Sequence, residues 1–125
     1  MTRTVLIVDD DPDIRELVRF KMAQEGFTVL EASDGEAALR AVAEHDPDLV
    51  LLDILMPGLS GLEVLEQIRS TDHPASARII LLTTNTADSE VTRGFVLGAD
   101  DYVVKPFSPR ELTKRVKATL SRPAA

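Results

Sequence analysis

Short apolar runs of this sequence end in charged residues at three places, and these residues are Asp9 with Asp10, Asp53, and Lys105. Apolar runs of this length are typical of buried parallel strands. In open α/β sheets, ligands bind beyond the carboxyl ends of the strands. The sequence therefore predicts that three acids and one lysine, far apart along the chain, meet at one edge of a sheet.

A group of three carboxylates suggests a bound cation. Carboxylates placed close together repel one another, and the pKa of each is then raised. A divalent cation removes this penalty, and oxygen ligands suit Mg²⁺. The chain has no cysteine, and neither of its two histidines stands near these acids, which disfavours zinc. Each acid taken alone would be interpreted as a solvated loop residue. Because the three acids are expected to lie together, we predict that Asp9, Asp10 and Asp53 bind Mg²⁺.

Asp53 stands apart from the other acids because it is a single acid that follows four apolar residues. A carboxylate can attack a phosphoryl group and form an acyl phosphate. Such a transfer depends on positioning and on neutralisation of charge, which a metal ion and the ammonium group of Lys105 would supply together. Thr83 ends another apolar run and could place a hydroxyl group beside the phosphoryl oxygens.

Apolar runs alternate with helical patterns along the chain. The predicted strands are residues 4–8, 28–32, 49–52, 79–83 and 102–104. The predicted helices are residues 13–25, 36–44, 62–70, 89–97 and 109–120. This alternation favours an α/β fold with a parallel sheet and helices on both of its faces.

Several helix ends are marked in the sequence. Asp11 precedes Pro12, which is a combination typical of a helix start. Ser60 and Ser108 are each followed three residues later by glutamate, as in a capping box. Gly26 is a candidate for the residue that ends the first helix.

Bulk composition limits the function classes. A chain of 125 residues predicts one domain, which we assign to residues 1–121, with residues 122–125 as a tail or the start of a linker. The net charge of −7 argues against direct binding of nucleic acid, which needs a basic face. No apolar run approaches the length of a membrane span, and no signal peptide is recognisable. We therefore expect a soluble cytoplasmic protein without membrane contact.

Four segments together resemble the response-regulator receiver domain of bacterial two-component signalling. They read VLIVDDD at residues 5–11, LLDILMPGLSG at 51–61, IILLT at 79–83 and GADDYVVKPF at 98–107. Each motif alone is weak, but four in this order and at matching spacing are strong evidence. The resemblance implies a flavodoxin-like (βα)5 fold, a doubly wound sheet of five parallel strands in the order 2-1-3-4-5.

The resemblance also implies a role for each site residue. Asp53 would accept a phosphoryl group from a sensor histidine kinase, a phosphotransfer protein or a small acyl phosphate. The magnesium ligands would be Asp9, Asp10, Asp53 and the backbone carbonyl of Leu55. Lys105 would contact the phosphoryl group, while Thr83 and Tyr102 would rearrange together as the switch. The chain would be a signalling switch rather than an enzyme, apart from its own phosphorylation and slow dephosphorylation.

The region from residue 98 to residue 122 is most similar to receivers of winged-helix transcription factors, which dimerise through their fourth helix, fifth strand and fifth helix. The corresponding partner surface here comprises Val91, Phe95, Val96, Asp100, Asp101, Glu111 and Arg115. Valines replace the charged residues that are usual at positions 91 and 96, so Glu111 and Lys117 would lack their usual partners. A phosphorylation-dependent homodimer is one expectation, and a different partner on this apolar helix is another.

A kinase-docking face on the first helix is expected by analogy to include Arg15, Arg19 and Met22. Thr84 departs from the Ala, Gly or Ser that is usual in the family after the switch threonine, and its branched side chain could crowd entry to the acyl phosphate. Leu55 and Asn85 stand at the two positions that tune the attacking water in the family. Since Leu55 offers no hydrogen bond to an attacking water, we expect slow self-dephosphorylation.

Two other functions fit parts of the pattern. Asp9 and Asp11 form the D-x-D motif of haloacid-dehalogenase-type phosphohydrolases, in which Asp9 would be the nucleophile. A pseudo-receiver would bind partners without phosphorylation. Both a stand-alone regulator and the amino-terminal part of a transcription factor agree with the sequence.

Overall fold

The structure is a computed structural model that describes residues 2–70, 76–84 and 88–123. Strands and helices alternate along these residues. The strands are β1 (Thr4–Val8), β2 (Thr28–Ala32), β3 (Leu49–Asp53), β4 (Arg78–Thr83) and β5 (Asp101–Val104). The helices are α1 (Pro12–Gln24), α2 (Gly35–His45), α3 (Gly61–Ser70), α4 (Asp88–Val96) and α5 (Pro109–Ser121).

The strands form one parallel sheet in the order β2-β1-β3-β4-β5. This confirms the predicted flavodoxin-like architecture and strand order. Every predicted element is present, and each bound lies within one residue of its prediction. Asp53 belongs to β3 rather than following it, because it continues the ladder opposite Leu82 of β4. Asp101 likewise begins β5, opposite Ile80.

The buried strands are apolar on both faces because each face packs against helices. Leu6, Val8, Val50 and Leu52 lie in one apolar cluster with residues of α2 and α3. The alternate residues of the same strands lie in a second cluster with residues of α1 and α5. Successive side chains of a strand point to opposite faces, so a strand covered on both sides must be apolar throughout. This is why the strands read as continuous apolar runs.

The helix starts use the predicted caps. The side chain of Asp11 accepts a hydrogen bond from the backbone N–H of Asp13 at 2.9 Å. At the start of α3, Ser60 and Glu63 accept from each other's backbone N–H groups at 3.2 and 3.4 Å, which completes a capping box. Ser108 accepts from the N–H of Glu111 at 3.0 Å. These caps fix where each helix begins after the loop at the carboxyl edge of the sheet.

Arginines hold the end of α5 against the amino edge of the sheet. Arg3 donates to the carbonyl oxygen of Leu120 at 3.0 Å, and Arg78 donates to that of Arg122 at 2.8 Å. Arg122 in turn donates to the carbonyl oxygen of Asp100 at 3.0 Å. The first residue of the predicted tail, Arg122, is thus bonded to the domain, while residues 124 and 125 lie outside the described residues.

None of the helices in the described part of the chain has the length and apolar character that crossing a bilayer requires.

Candidate functional site

The structure brings the three predicted metal-binding acids together at the carboxyl edge of the sheet. Asp9, Asp10 and Asp53, here called the acid cluster, each offer an oxygen atom, and these atoms lie within 4.8 Å of one another. The arrangement follows from the register, since Val8 pairs with Leu52 and the two strands therefore end side by side. Asp9 and Asp53 are buried, and Asp10 is exposed.

Lys105 reaches the acid cluster from the end of β5. Its Nζ lies 2.7 Å from Oδ2 of Asp9 and 3.5 Å from Oδ2 of Asp53. Its backbone N–H donates to the carbonyl oxygen of Thr83 at 2.7 Å, and the Lys105–Pro106 peptide bond is cis. One ammonium group therefore contacts two carboxylates that come from different strands.

Backbone groups hold both buried carboxylates in place. Oδ1 of Asp9 accepts from the N–H of Asp11 at 3.0 Å, and Oδ1 of Asp53 accepts from the N–H of Leu55 at 3.2 Å. Gly61, the first residue of α3, packs directly against the backbone of Asp53. A Cβ at position 61 would overlap with the carbonyl group of Asp53, so only glycine permits this approach. The acid cluster is therefore fixed by short loops rather than by side-chain packing alone.

The electrostatics of the site set Asp53 apart. Burial, followed by the nearby carboxylate of Asp9, raises the pKa of Asp53 to about 6 against the opposing effects of Lys105 and the N–H of Leu55. Burial alone would lower the pKa of Lys105, but its hydrogen bond to Asp9 and the charge of Asp53 outweigh burial and raise that pKa above its usual value. Lys105 therefore remains an ammonium group at neutral pH.

The acid cluster fits a divalent cation that prefers oxygen ligands. Its donors are carboxylate oxygens, two of them from buried residues, and a cation would relieve the repulsion that raises the pKa of Asp53. The exposure of Asp10 leaves one side open to water, and Mg²⁺ usually retains several waters. The side chain of Leu55 is exposed beside this site, so only its backbone carbonyl would be a ligand.

The two predicted switch residues lie on neighbouring strands. Thr83 is the last residue of β4 and is buried, and it pairs with Val104 of β5. Tyr102 is half-buried in β5 and packs edge-to-face on Phe95 of α4, with 6.0 Å between ring centroids. Contacts thus lead from the end of β4 to the outer side of α4.

The predicted partner surface is only partly available. Phe95 and Val96 are 44% and 79% exposed, and Glu111 and Arg115 are exposed as well. Val91 is half-buried. The free face of this surface is therefore apolar on α4 and charged on α5.

The acids of the same surface turn towards their own chain. Asp100 accepts from the N–H of Ile79 at 2.7 Å, and Asp101 is buried with Arg115 at 3.3 Å and Arg122 at 3.9 Å. Asp100 and Asp101 therefore contribute to the domain itself in this conformation. Lys117 likewise pairs within its own chain, where its Nζ lies 2.6 Å from Oε1 of Glu25.

Arg69 is a residue that sequence reasoning missed. It donates to the carbonyl oxygens of Ala77 at 2.7 Å and Gly98 at 3.2 Å, and it pairs with Asp100 at 3.4 Å. Burial lowers the pKa of Arg69. Its bonds to backbone carbonyls gave no sequence signal, because they depend on how the loops after α3 and α4 fold.

The expected docking face on α1 needs correction. Met22 is fully buried against the sheet, so it cannot be part of a docking surface. The exposed apolar residues of α1 are instead Leu17 and Phe20. Leu17 also lines a cleft of about 420 Å³ next to the acid cluster, whose lining residues are Ile14, Leu17, Thr84, Lys105, Pro106 and Phe107.

Known proteins are similar to this chain in sequence and in fold. Residues 5–117 match the family described as the response regulator receiver domain. The DNA-binding response regulator MtrA of Mycolicibacterium smegmatis (strain ATCC 700084 / mc(2)155) is 43% identical over 122 residues, which are 98% of this chain and 52% of that protein. The chain thus spans about half the length of this curated relative.

Solved structures agree with the family match. A putative response regulator from Chloroflexus aurantiacus J-10-fl is 36% identical, with a TM-score of 0.90 over 98% of this chain and 100% of that chain. The BeF3-activated receiver domain of DrrB is 39% identical, with a TM-score of 0.86 over 98% of this chain and 100% of that chain.

The raised pKa of Asp53 predicts that Asp53→Asn stabilises the metal-free protein. Because the pKa of about 6 in the folded protein exceeds the ordinary 3.8, folding takes up a proton between these values, and stability falls as pH rises through that window. We expect the variant to raise the free energy of unfolding by about 3 kcal/mol near pH 7.5 and by about 1 kcal/mol near pH 4.5.

Urea unfolding with a chelator present measures this difference. The exposed Glu16→Gln on α1 is the matched control, and its stability should stay close to that of the wild type. A variant Asp53→Asn that is no more stable than the wild type near pH 7.5 would contradict the repulsion described here.

Proposed function

The chain belongs to the response regulator receiver domain family, and on that premise we propose that phosphorylation of Asp53 switches the face formed by α4, β5 and α5. The contacts of Lys105 are the main support for this function, because its Nζ lies 3.5 Å from Asp53 and 2.7 Å from Asp9. A fixed cation beside a buried carboxylate stabilises the charge of an incoming phosphoryl group.

The reaction is a transfer between two nucleophiles. An oxygen of the Asp53 carboxylate attacks the phosphorus of a phosphohistidine or a small acyl phosphate, and the bond from phosphorus to the donor nitrogen or oxygen breaks. Asp9, Asp10, Asp53 and the carbonyl of Leu55 would hold Mg²⁺, which supplies charge neutralisation when bound. Lys105 then contacts the phosphoryl oxygens. The chain is modified once per event and does not turn over a second substrate.

The alternatives from the sequence have less support. The comparisons with known proteins give none to the phosphohydrolase in which Asp9 is the nucleophile. A pseudo-receiver would not need the intact set of Asp53, Lys105 and Thr83 that converges at the site. We therefore retain the phosphorylated switch alone.

Thr83 and Tyr102 would transmit the effect of phosphorylation to the face formed by α4, β5 and α5. A phosphoryl group on Asp53 offers acceptor oxygens to the hydroxyl of Thr83, which ends the neighbouring strand. Movement of Thr83 leaves space into which Tyr102 can turn, and this would change its packing on Phe95 of α4. The charge of the phosphoryl group thereby shifts a two-state equilibrium, and the two states differ in the conformation of α4, β5 and α5.

A phosphodonor protein would dock on α1 and the adjacent cleft. Leu17 and Phe20 are exposed apolar residues, and the cleft leads to Lys105. We assign this face to a sensor histidine kinase or a phosphotransfer protein. Because MtrA is named as a DNA-binding response regulator and this chain covers about half of it, we also propose transcription control as the output.

The acyl phosphate would be long-lived. The side chain of Leu55 is exposed beside Asp53 and provides no hydrogen bond to orient a water molecule. Thr84 is exposed and lines the cleft near Lys105, where its branched side chain restricts access. The third residue of this expectation, Asn85, lies outside the described residues.

Acetyl phosphate and Mg²⁺ should add one phosphoryl group to the wild-type chain and none to Asp53→Asn. Intact-protein mass spectrometry measures the modification, and removal of the donor then gives the lifetime, which should be minutes or longer. Asp46→Asn is the control, because it replaces an exposed aspartate outside the acid cluster. Modification that persists in Asp53→Asn, or a lifetime of seconds, would contradict the assignment or the slow dephosphorylation respectively.

Beryllofluoride, which mimics the phosphoryl group, should convert the protein from monomer to dimer. The exposed apolar residues Phe95 and Val96 would be covered in the dimer, and Val96→Asp should prevent the change because it buries a charge. Light scattering with Mg²⁺, with and without beryllofluoride, measures the mass. Ala43→Asp, an equivalent change on the exposed side of α2, should leave dimerisation intact. A wild type that binds beryllofluoride and stays monomeric would show that α4 serves a different partner.

A further inference from the structure

We infer that Arg15 is a positioning residue for the magnesium ligands Asp9 and Asp10, an inference that rests on the function proposed above. Nη1 of Arg15 donates a hydrogen bond of 2.8 Å to the main-chain carbonyl oxygen of Asp9. The same side chain is mostly buried, and its Nε lies 3.5 Å from Oε1 of Glu31 on β2. Arg15 thus joins the second strand to the loop that carries the acids.

The carbonyl that Arg15 binds belongs to the peptide group between Asp9 and Asp10. A peptide group is planar, so its orientation sets the direction in which the chain continues through Cα of Asp10. Asp9 has further restraints, since its N–H donates to Ala32 and its side chain contacts Lys105. Asp10 is exposed and has fewer contacts to hold it. The hydrogen bond from Arg15 therefore mainly restrains the orientation of Asp10.

Glu31 keeps the guanidinium group of Arg15 in place. It accepts contacts from both Arg15 and Arg19, the latter at 3.2 Å between Nε of Arg19 and Oε2 of Glu31. Arg19 lies one helical turn further along α1 and is exposed. The two arginines share an anion, but the bond to Asp9 belongs to Arg15.

The sign of the effect separates positioning from simple electrostatics. Arg15 is a positive charge near the acid cluster, so electrostatics alone predicts that Mg²⁺ binds more tightly when this charge is removed. Positioning predicts the opposite, because a loosened peptide group no longer holds Asp10 in reach of the ion. Groups that orient metal ligands from outside the coordination sphere typically change affinity by about ten- to a hundredfold when they are lost.

Magnesium titrations by calorimetry, repeated by NMR on the backbone amides, test this inference with three variants. Arg15→Gln should weaken Mg²⁺ binding by about tenfold, whereas Arg19→Gln should leave it unchanged. Arg15→Lys retains the charge but cannot bond Asp9 and Glu31 with one planar group, so its affinity should lie between those of the wild type and Arg15→Gln.

Phosphorylation by acetyl phosphate provides a second readout. With Arg15→Gln the rate should fall at low Mg²⁺ and recover at saturating Mg²⁺, because the reacting residues are intact. A loss of rate that saturating Mg²⁺ does not restore would overturn the positioning role.

Each remaining outcome is decisive. Equal or tighter Mg²⁺ binding by Arg15→Gln, or equal weakening by Arg19→Gln, would overturn the inference while leaving the proposed function intact. If Arg15→Gln does not fold, Arg15→Lys decides alone, and wild-type affinity in that variant would overturn the inference. A wild-type protein that binds no Mg²⁺ would instead contradict the proposed function.

Discussion

One ammonium group faces three carboxylates at the carboxyl edge of this sheet. Nζ of Lys105 contacts Asp9 and Asp53, which come from strands that only the folded sheet brings side by side. The positive charge of Lys105 does not fully offset the negative charge of these carboxylates, because burial and the charge of Asp9 still raise the pKa of Asp53. An excess of negative charge in a partly buried place disfavours the folded state unless a cation is present. The same excess is what makes the site receptive to a metal ion.

The contacts of Lys105 also connect this charge to the rest of the domain. Its backbone N–H is bonded to the carbonyl oxygen of Thr83, and β5, which ends just before Lys105, carries Tyr102, whose ring packs on Phe95 of α4. The face formed by α4, β5 and α5 is therefore connected to the acid cluster through the neighbouring strands β4 and β5 rather than through long side chains. The acids Asp100 and Asp101 are bound to their own chain, which leaves α4 as the apolar part of the face.

Sequence patterns predicted the fold and the site because both depend on strand ends. An apolar run followed by a charged residue marks the carboxyl end of a parallel strand, and parallel strands all end at one edge. Asp9, Asp53 and Lys105 could therefore be placed together before any contact was known. The analogy that put Met22 on a docking face was wrong because this position of α1 faces the sheet.

Hydrogen bonds from side chains to backbone carbonyl oxygens could not be predicted from the sequence. Arg69 and Arg15 each donate to carbonyls of loops, and the direction of a loop carbonyl follows from backbone angles that no residue pattern records. Ion pairs between α1 and β2 are easier to anticipate, since Arg15 and Arg19 are one helical turn apart. The sequence does not indicate, however, that Arg15 rather than Arg19 bonds to the carbonyl oxygen of Asp9.

Gly61 has a consequence for how freely this domain can be redesigned. Its missing side chain lets α3 pack on the backbone of Asp53, and a Cβ there would overlap with that carbonyl group. Mutational tolerance is therefore expected to be low at a position that has no functional group to contribute. A library that varies the chemistry of the site would do better to leave residue 61 constant and to randomise Leu55 and Thr84, whose side chains are exposed.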